Sequence, residues 1–305
     1  MTKIPVTKMA GAGNDFLIMD VRRHALASLR RRWAAVSRAL CDRHRGIGAD
    51  GLLVLERSRA ASARMRVFNP DGSEAEMCGN GARCVARYLQ EGRRGSRRAN
   101  APTRVTIETK AGLIGASVRG DRVAMHMTEP TELTLDLTLK AGGDSFSLGV
   151  VNTGVPHAVV PVKAIETVDV ERLGRALRQH PHFSPRGTNV NFVQEAANGS
   201  PRLLIRTYER GVEAETLACG TGVAAAAVLF ALRDQPDERG GRRDRGSRAS
   251  RQTIDVQTRS GDVLNVSFII EGQGRQRRAT QVVLEGTASR IFDGVAYWSA
   301  QSEES

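Results

Sequence analysis

Cysteine opens a Cys-Gly-X-Gly stretch twice in this chain of 305 residues, at Cys78-Gly79-Asn80-Gly81 and at Cys219-Gly220-Thr221-Gly222. Each stretch runs straight into a helix-forming run, ARCVARYL after the first and VAAAAVLF after the second. The approaches are alike too, with Glu74-Ala75-Glu76 ahead of one cysteine and Glu213-Ala214-Glu215 ahead of the other. A cysteine just before a helix sits among backbone N–H groups that have no partner inside the helix, and the helix dipole draws negative charge to them. Two consequences are expected. The thiol becomes more acidic than its free value of about 8.5, and a carboxylate can dock on the same donors. Glycines 79, 81, 220 and 222 leave the backbone open to close approach.

Two such ends on opposite sides of a carbon acid would invert its stereocentre without redox change. One thiolate takes a proton from one face while the opposing thiol delivers a proton to the other. The cysteines must then be in opposite protonation states, and fixed alignment makes the step feasible. The helix-end donors would stabilise the enediolate charge that develops on the carboxylate. A single cysteine of this kind reads more readily as a small packed residue. A second copy in a matching context shifts the balance toward chemistry.

Other signals are weaker. Gly46-Ile47-Gly48-Ala49-Asp50-Gly51 matches G-x-G-x-x-G, but a strand follows it where a dinucleotide fold has a helix, so that reading is rejected. No Gly-Lys-Ser/Thr of a P-loop occurs. His157, beside Pro156, reads as an acid or base or as a structural residue. Glu209-Arg210 reads as a carboxylate clamp or as a surface ion pair. No Cys pair has zinc-ligand spacing, and four cysteines in a chain of this size are expected to be reduced thiols.

The elements that must position these residues follow from patterning. Alternating or β-branched runs recur from 4–9 to 281–284, separated by turn signals such as Pro70-Asp71-Gly72. Four segments read as helices: 30–41, 79–90, 170–178 and 220–232. In the second, Ala82, Val85, Ala86 and Leu89 share one face and Arg83, Arg87 and Gln90 take a wet one. The fourth is apolar around nearly its whole circumference and is expected to be enclosed by strands. Length allows two domains, each owning one cysteine motif. They are expected at 1–128, with 288–305 packing back on it, and at 129–287.

Composition is that of a soluble globular chain, 40% hydrophobic and 26% charged. The amino terminus lacks the apolar core of a signal peptide, and the longest apolar run, 223–232, is about half of the ~20 residues of a membrane span. A cytoplasmic protein without membrane contact is expected. The net charge of +12 gathers in Arg clusters at 93–98 and 239–251. These read as solvated insertions, 92–102 and 235–252, and not as a nucleic-acid surface, because no aromatic residues are interleaved for stacking.

Taken together, Lys8-Met9-Ala10-Gly11-Ala12-Gly13-Asn14-Asp15-Phe16, Phe68-Asn69-Pro70-Asp71-Gly72-Ser73, Met77 to Arg83, Tyr208-Glu209-Arg210-Gly211 and Ala218 to Gly222 resemble diaminopimelate epimerase, in order and spacing from residue 3 to about 294. The resemblance implies an α+β fold of two similar strand-rich domains, each a barrel-like sheet around a central helix. It implies an enzyme independent of pyridoxal phosphate, with no cofactor or metal, that interconverts LL- and meso-2,6-diaminopimelate on the route to lysine and peptidoglycan, as a homodimer. By the same resemblance Cys78 and Cys219 are the acid/base thiols. Asn80 with Gly79, and Thr221 with Gly220, bind the reacting carboxylate. Asn14, Asn69, Asn189, Glu209 and Arg210 bind the remainder, and His157 and Glu209 tune the reacting groups. Val155 stands where many relatives of that family carry Asn and Gly51 where some carry Gln, and both departures bear on the distal end of the substrate.

Overall fold

A computed structural model of the chain describes residues 1–24, 26, 29–92, 102–197, 202–233 and 250–299. In chain order these form β1 (Thr2–Gly11), β2 (Asn14–Asp20), α1 (Trp33–Cys41), β3 (Gly51–Glu56), β4 (Ala63–Phe68), β5 (Glu74–Ala75), α2 (Gly79–Glu91), β6 (Thr103–Thr109), β7 (Gly112–Arg119) and β8 (Arg122–His126). There follow β9 (Thr131–Ala141), β10 (Asp144–Asn152), β11 (Pro156–Pro161), α3 (Val170–Arg178), β12 (Asn189–Glu195), β13 (Leu203–Glu209), β14 (Ala214–Thr216), α4 (Gly220–Arg233), β15 (Ser250–Gln257), β16 (Val263–Glu271), β17 (Arg278–Thr287) and β18 (Ser289–Trp298). The chain divides into two compact units, one of Met1–Met125 with the segment from Gly286 onward, the other of His126–Glu285.

In the first unit the strands run β18-β1-β2-β3-β4-β6-β7-β8. Two neighbours are parallel, β2 with β3 and β4 with β6, and a helix bridges each parallel step, α1 and then α2. This is what the geometry of parallel pairing demands, since a tight turn cannot return the chain to the same direction. Helix α2 touches β1, β2, β4, β6, β7 and β18, so the sheet curls around it. Its Val85 and Ala86 are fully buried among Met9, Ile18, Leu53 and Ile107.

The second unit repeats the plan as β9-β10-β11-β12-β13-β15-β16-β17, with α3 and α4 bridging the parallel pairs β11 with β12 and β13 with β15. Helix α4 contacts β9, β10, β11, β12, β13, β15 and β16. The run Val223 to Leu229 is buried on every side, as its unbroken apolar sequence requires. Four consecutive alanines, 224 to 227, keep the helix thin enough for strands to surround it. The fold is thus a two-domain, strand-rich α+β architecture with a central helix in each unit.

Details differ from the patterning. Helix α1 begins at Trp33, not at 30, and α2 and α4 each run one residue further than expected. Arg83 is not on a wet face of α2 but has no exposed surface, because its guanidinium reaches back to Asn80 within the same helix. The Arg-rich stretches lie almost wholly outside the described residues. At the edge of the second, Ser250, Arg251 and Gln252 belong to β15 and not to a loop. The register also re-aligns the approaches to the two cysteines. Phe68 pairs with Glu74 and Tyr208 with Glu215, so Glu74 and Glu215, each four residues before its cysteine, are equivalent. Arg66 and Arg206 grip them through matching ion pairs of 2.8 and 2.6 Å. Among the described residues no helix is long and apolar enough to cross a membrane.

Candidate active site

Cys78 is the N-cap of α2. Its backbone is extended (φ −139°, ψ 116°), its carbonyl accepts the N–H of Ala82 at 2.8 Å, and its Sγ accepts the N–H of Gly81 at 3.4 Å. The N–H groups of Gly79 and Asn80 lie in the first turn and have no partner within the helix. A Cβ on Gly79 would meet nothing within 4 Å, so that side of the turn is open. A Cβ on Gly81 would stand 3.1 Å from Leu53 Cδ2, so that side is closed.

A chain of amides fixes the polar residues around this turn. Arg83 donates to Asn80 Oδ1 at 2.6 Å, Asn80 Nδ2 donates to Asn14 Oδ1 at 2.6 Å, and Asn14 Nδ2 donates to Asp50 Oδ2 at 2.9 Å. Arg43 closes the far end by pairing with both Asp50 (2.6 Å) and Asp15 (2.8 Å). Burial pushes Asp15 up, but hydrogen bonds from Arg43 and Lys8 outweigh it and hold the carboxyl below its usual range. Asn14 and Asn80 are therefore brought together. Asn69 stands apart from that network. It is exposed in the turn after β4, and its amide donates to Ser73 Oγ at 2.9 Å.

Cys219 holds the same place in the second unit, with its carbonyl accepting the N–H of Val223 at 2.9 Å and its Sγ 3.4 Å from Thr221 Oγ1. The Thr221 carbonyl accepts from Thr153 Oγ1 at 2.9 Å. The expected gain in acidity is not found for this thiol. Burial, and next the charge of Glu209, push Cys219 up to about 12 against the Thr221 hydroxyl and the N–H groups of Gly222 and Thr221. Desolvation of a thiolate outweighs the helix end here.

Around that thiol, burial also pushes Glu209 up, with the Thr216 hydroxyl opposing. Asn189 Oδ1 accepts the N–H of Arg210 at 2.8 Å and its Nδ2 donates to the Pro156 carbonyl at 3.1 Å, so its amide joins the Glu209-Arg210 segment to β11. His157 has no exposed surface, and burial, aided by Arg210, lowers its pKa to about 3. It is a neutral imidazole. Asn191, not singled out from the sequence, is also fully buried, with its Nδ2 3.1 Å from His157 Nδ1. Its signal was available: Asn189 and Asn191 alternate on one face of a strand whose neighbours Val190 and Phe192 are core residues.

None of the four cysteines is in a disulfide. Among the described residues no group of three or more His, Cys, Asp or Glu side chains is disposed to hold a metal ion. Each cysteine turn offers a thiol, two backbone donors and a hydroxyl or amide at a helix start, which is equipment for moving protons beside a carboxylate.

The family model for diaminopimelate epimerase matches residues 6–133 and 149–283. The diaminopimelate epimerase of Aquifex aeolicus (strain VF5) is 39% identical over 295 residues, spanning 94% of this chain and 95% of that relative. The diaminopimelate epimerase of Methanocella arvoryzae is 36% identical over 306 residues, spanning 96% and 97%. Among solved structures, a probable proline racemase from Agrobacterium radiobacter K84 with bound carbonate shares the fold at a TM-score of 0.66 and 18% identity, over 99% of this chain and 94% of its own.

Proposed function

Because the chain belongs to the diaminopimelate epimerase family, a family of isomerases, we propose that it interconverts LL- and meso-2,6-diaminopimelate by two-base proton transfer between Cys78 and Cys219. In one direction the thiolate of one cysteine takes the α-proton and becomes a thiol, while the thiol of the other protonates the opposite face and becomes a thiolate. No electrons are exchanged and no cofactor takes part. The observation that carries this reading is the duplicated cap: each cysteine precedes a central helix, with its carbonyl bound to the N–H four residues on. A thiol held protonated by burial, as Cys219 is, suits the proton-delivering partner.

The same reading assigns the reacting carboxylate to Gly79, Asn80, Gly220 and Thr221, whose N–H and side-chain donors would stabilise the enediolate. Asn14, Asn69, Asn189, Glu209 and Arg210 hold the distal amino acid moiety, with the Arg210 guanidinium on its carboxylate. His157, neutral and buried, and Glu209 set the protonation of the reacting groups. The enzyme works in the cytoplasm, in lysine and peptidoglycan precursor synthesis, as a homodimer. The test is incubation of the purified protein, without pyridoxal phosphate, with LL-diaminopimelate and in parallel with L-proline, resolving isomers by chiral chromatography. Meso-diaminopimelate should form and D-proline should not. Turnover of proline alone overturns the assignment.

A further inference from the structure

The cysteine turns of the two units rest on different chemistry. By register, Phe16 pairs with Gly51 on β2 and β3, and His157 pairs with Asn189 on β11 and β12. Counting on from these pairs makes His157 the equivalent of Phe16, and Asn191 the equivalent of Leu53. In the first unit both positions are apolar and buried. In the second they are an imidazole and an amide joined at 3.1 Å, also buried.

The orientation of the Asn191 amide is fixed by its other neighbours. Its Nδ2 lies 3.1 Å from the Ala158 carbonyl, which only accepts, and its Oδ1 accepts from Thr207 Oγ1 at 3.0 Å. Turning the amide over would set oxygen against oxygen at Ala158. Nδ2 therefore donates to His157 Nδ1, and the proton of the neutral ring resides on Nε2. That Nε2 is buried and has no hydrogen-bond partner among the described residues. That leaves the Nε2–H free to donate to a water or to a bound ligand. Asn191 Oδ1 also fills the space into which a Cβ on Gly222 would project, in the first turn of α4 beside Cys219.

We infer that Asn191 is a positioning residue of the Cys219 half-site: one side-chain amide fixes the Nε2–H form of His157 and seats the first turn of α4. The Cys78 half-site has Leu53 in that role, seating Gly81 by shape alone. The two cysteine turns thus rest on unlike supports, an imidazole–amide pair in one unit and Phe16 with Leu53 at the equivalent positions of the other. This inference rests on the epimerase reading for its catalytic consequence, but its structural part does not.

The test uses the full chain with 15N-labelled histidine and the variant Asn191→Leu. Leucine has the branching of asparagine and already serves at the equivalent position 53. In the substrate-free wild type, long-range 15N–1H correlations, assigned by their loss in His157→Gln, should show a pure Nε2–H ring. In Asn191→Leu both tautomers should be populated, and kcat for diaminopimelate epimerisation should fall about 10- to 100-fold with KM little changed. A wild-type ring protonated on Nδ1 overturns the inference even if the variant does not fold. A folded variant that keeps a pure Nε2–H ring and wild-type kcat overturns it equally. If the tautomer responds as expected but neither protein epimerises diaminopimelate, the functional reading fails and the assignment of Asn191 as the tautomer lock stands.

Discussion

Replacing His157 by glutamine should alter the acid stability of the protein in a defined pH window. The ring is wholly buried and its pKa is lowered from 6.5 to about 3 by burial, with Arg210 adding to the effect. In the unfolded chain the same ring takes up a proton below about pH 6.5. Between pH 6.5 and pH 3 the unfolded state therefore binds one proton more than the folded state, and stability falls as pH falls through that window. Above pH 6.5 the group costs nothing, and below pH 3 the loss is complete. The slope is about 1.4 kcal/mol per pH unit, so going from pH 7 to pH 4 removes about 3 kcal/mol from the wild type that glutamine, which does not titrate, retains. Urea unfolding of both proteins at about pH 7 and about pH 4 reads the difference directly. Carboxylates such as Glu74, held down at about 2 chiefly by Arg66, titrate in both proteins and cancel. A stability difference between wild type and variant that stays constant across the two pH values refutes the assignment of a buried neutral ring.

Glycines of the two caps should separate fold from function. Gly222→Ala drives a methyl into Asn191 and should cost about 1–3 kcal/mol in thermal unfolding, whereas Gly79→Ala meets open space, should keep stability within about 0.5 kcal/mol, and should raise KM; equal stability loss in both contradicts this. Arg83→Met leaves the buried Asn80 Oδ1 short of a donor, so stability should drop by about 1–3 kcal/mol and KM should rise more than kcat falls, an unchanged KM being the contrary result.

The cysteine motif was legible in the sequence because a cap is local: the residue, its glycines and the following apolar run all lie within a dozen positions. The same locality gave α3, whose bounds are those of its pattern. What escaped depends on partners far along the chain. Strand β18 carries Asp293-Gly294, a turn signal, yet runs straight through it because β1 supplies partners across the register and Thr7 Oγ1 donates to Asp293 at 2.6 Å. Arg83 reads as solvated by periodicity alone but is buried, where it donates to Asn80 Oδ1, whose own amide donates to Asn14. Asn189 and Asn191 share the inward face of β12, where their amides serve Arg210 and His157, contacts that strand patterning alone does not specify. The family resemblance located Asn189 but not Asn191; strand alternation places Asn191 on the face of Asn189, whereas its contacts with His157 and the first turn of α4 emerge only once β11, β12 and α4 are assembled.

The most direct measurement of the two-thiol account follows LL-diaminopimelate by NMR in deuterated water with the wild type, Cys78→Ala and Cys219→Ala. The account predicts that the meso product of the wild type carries deuterium at the inverted α-carbon from the first turnovers, while recovered LL substrate remains undeuterated, and that neither variant forms product. Early deuterium in the recovered substrate, or full epimerisation by either single-cysteine variant, would contradict it.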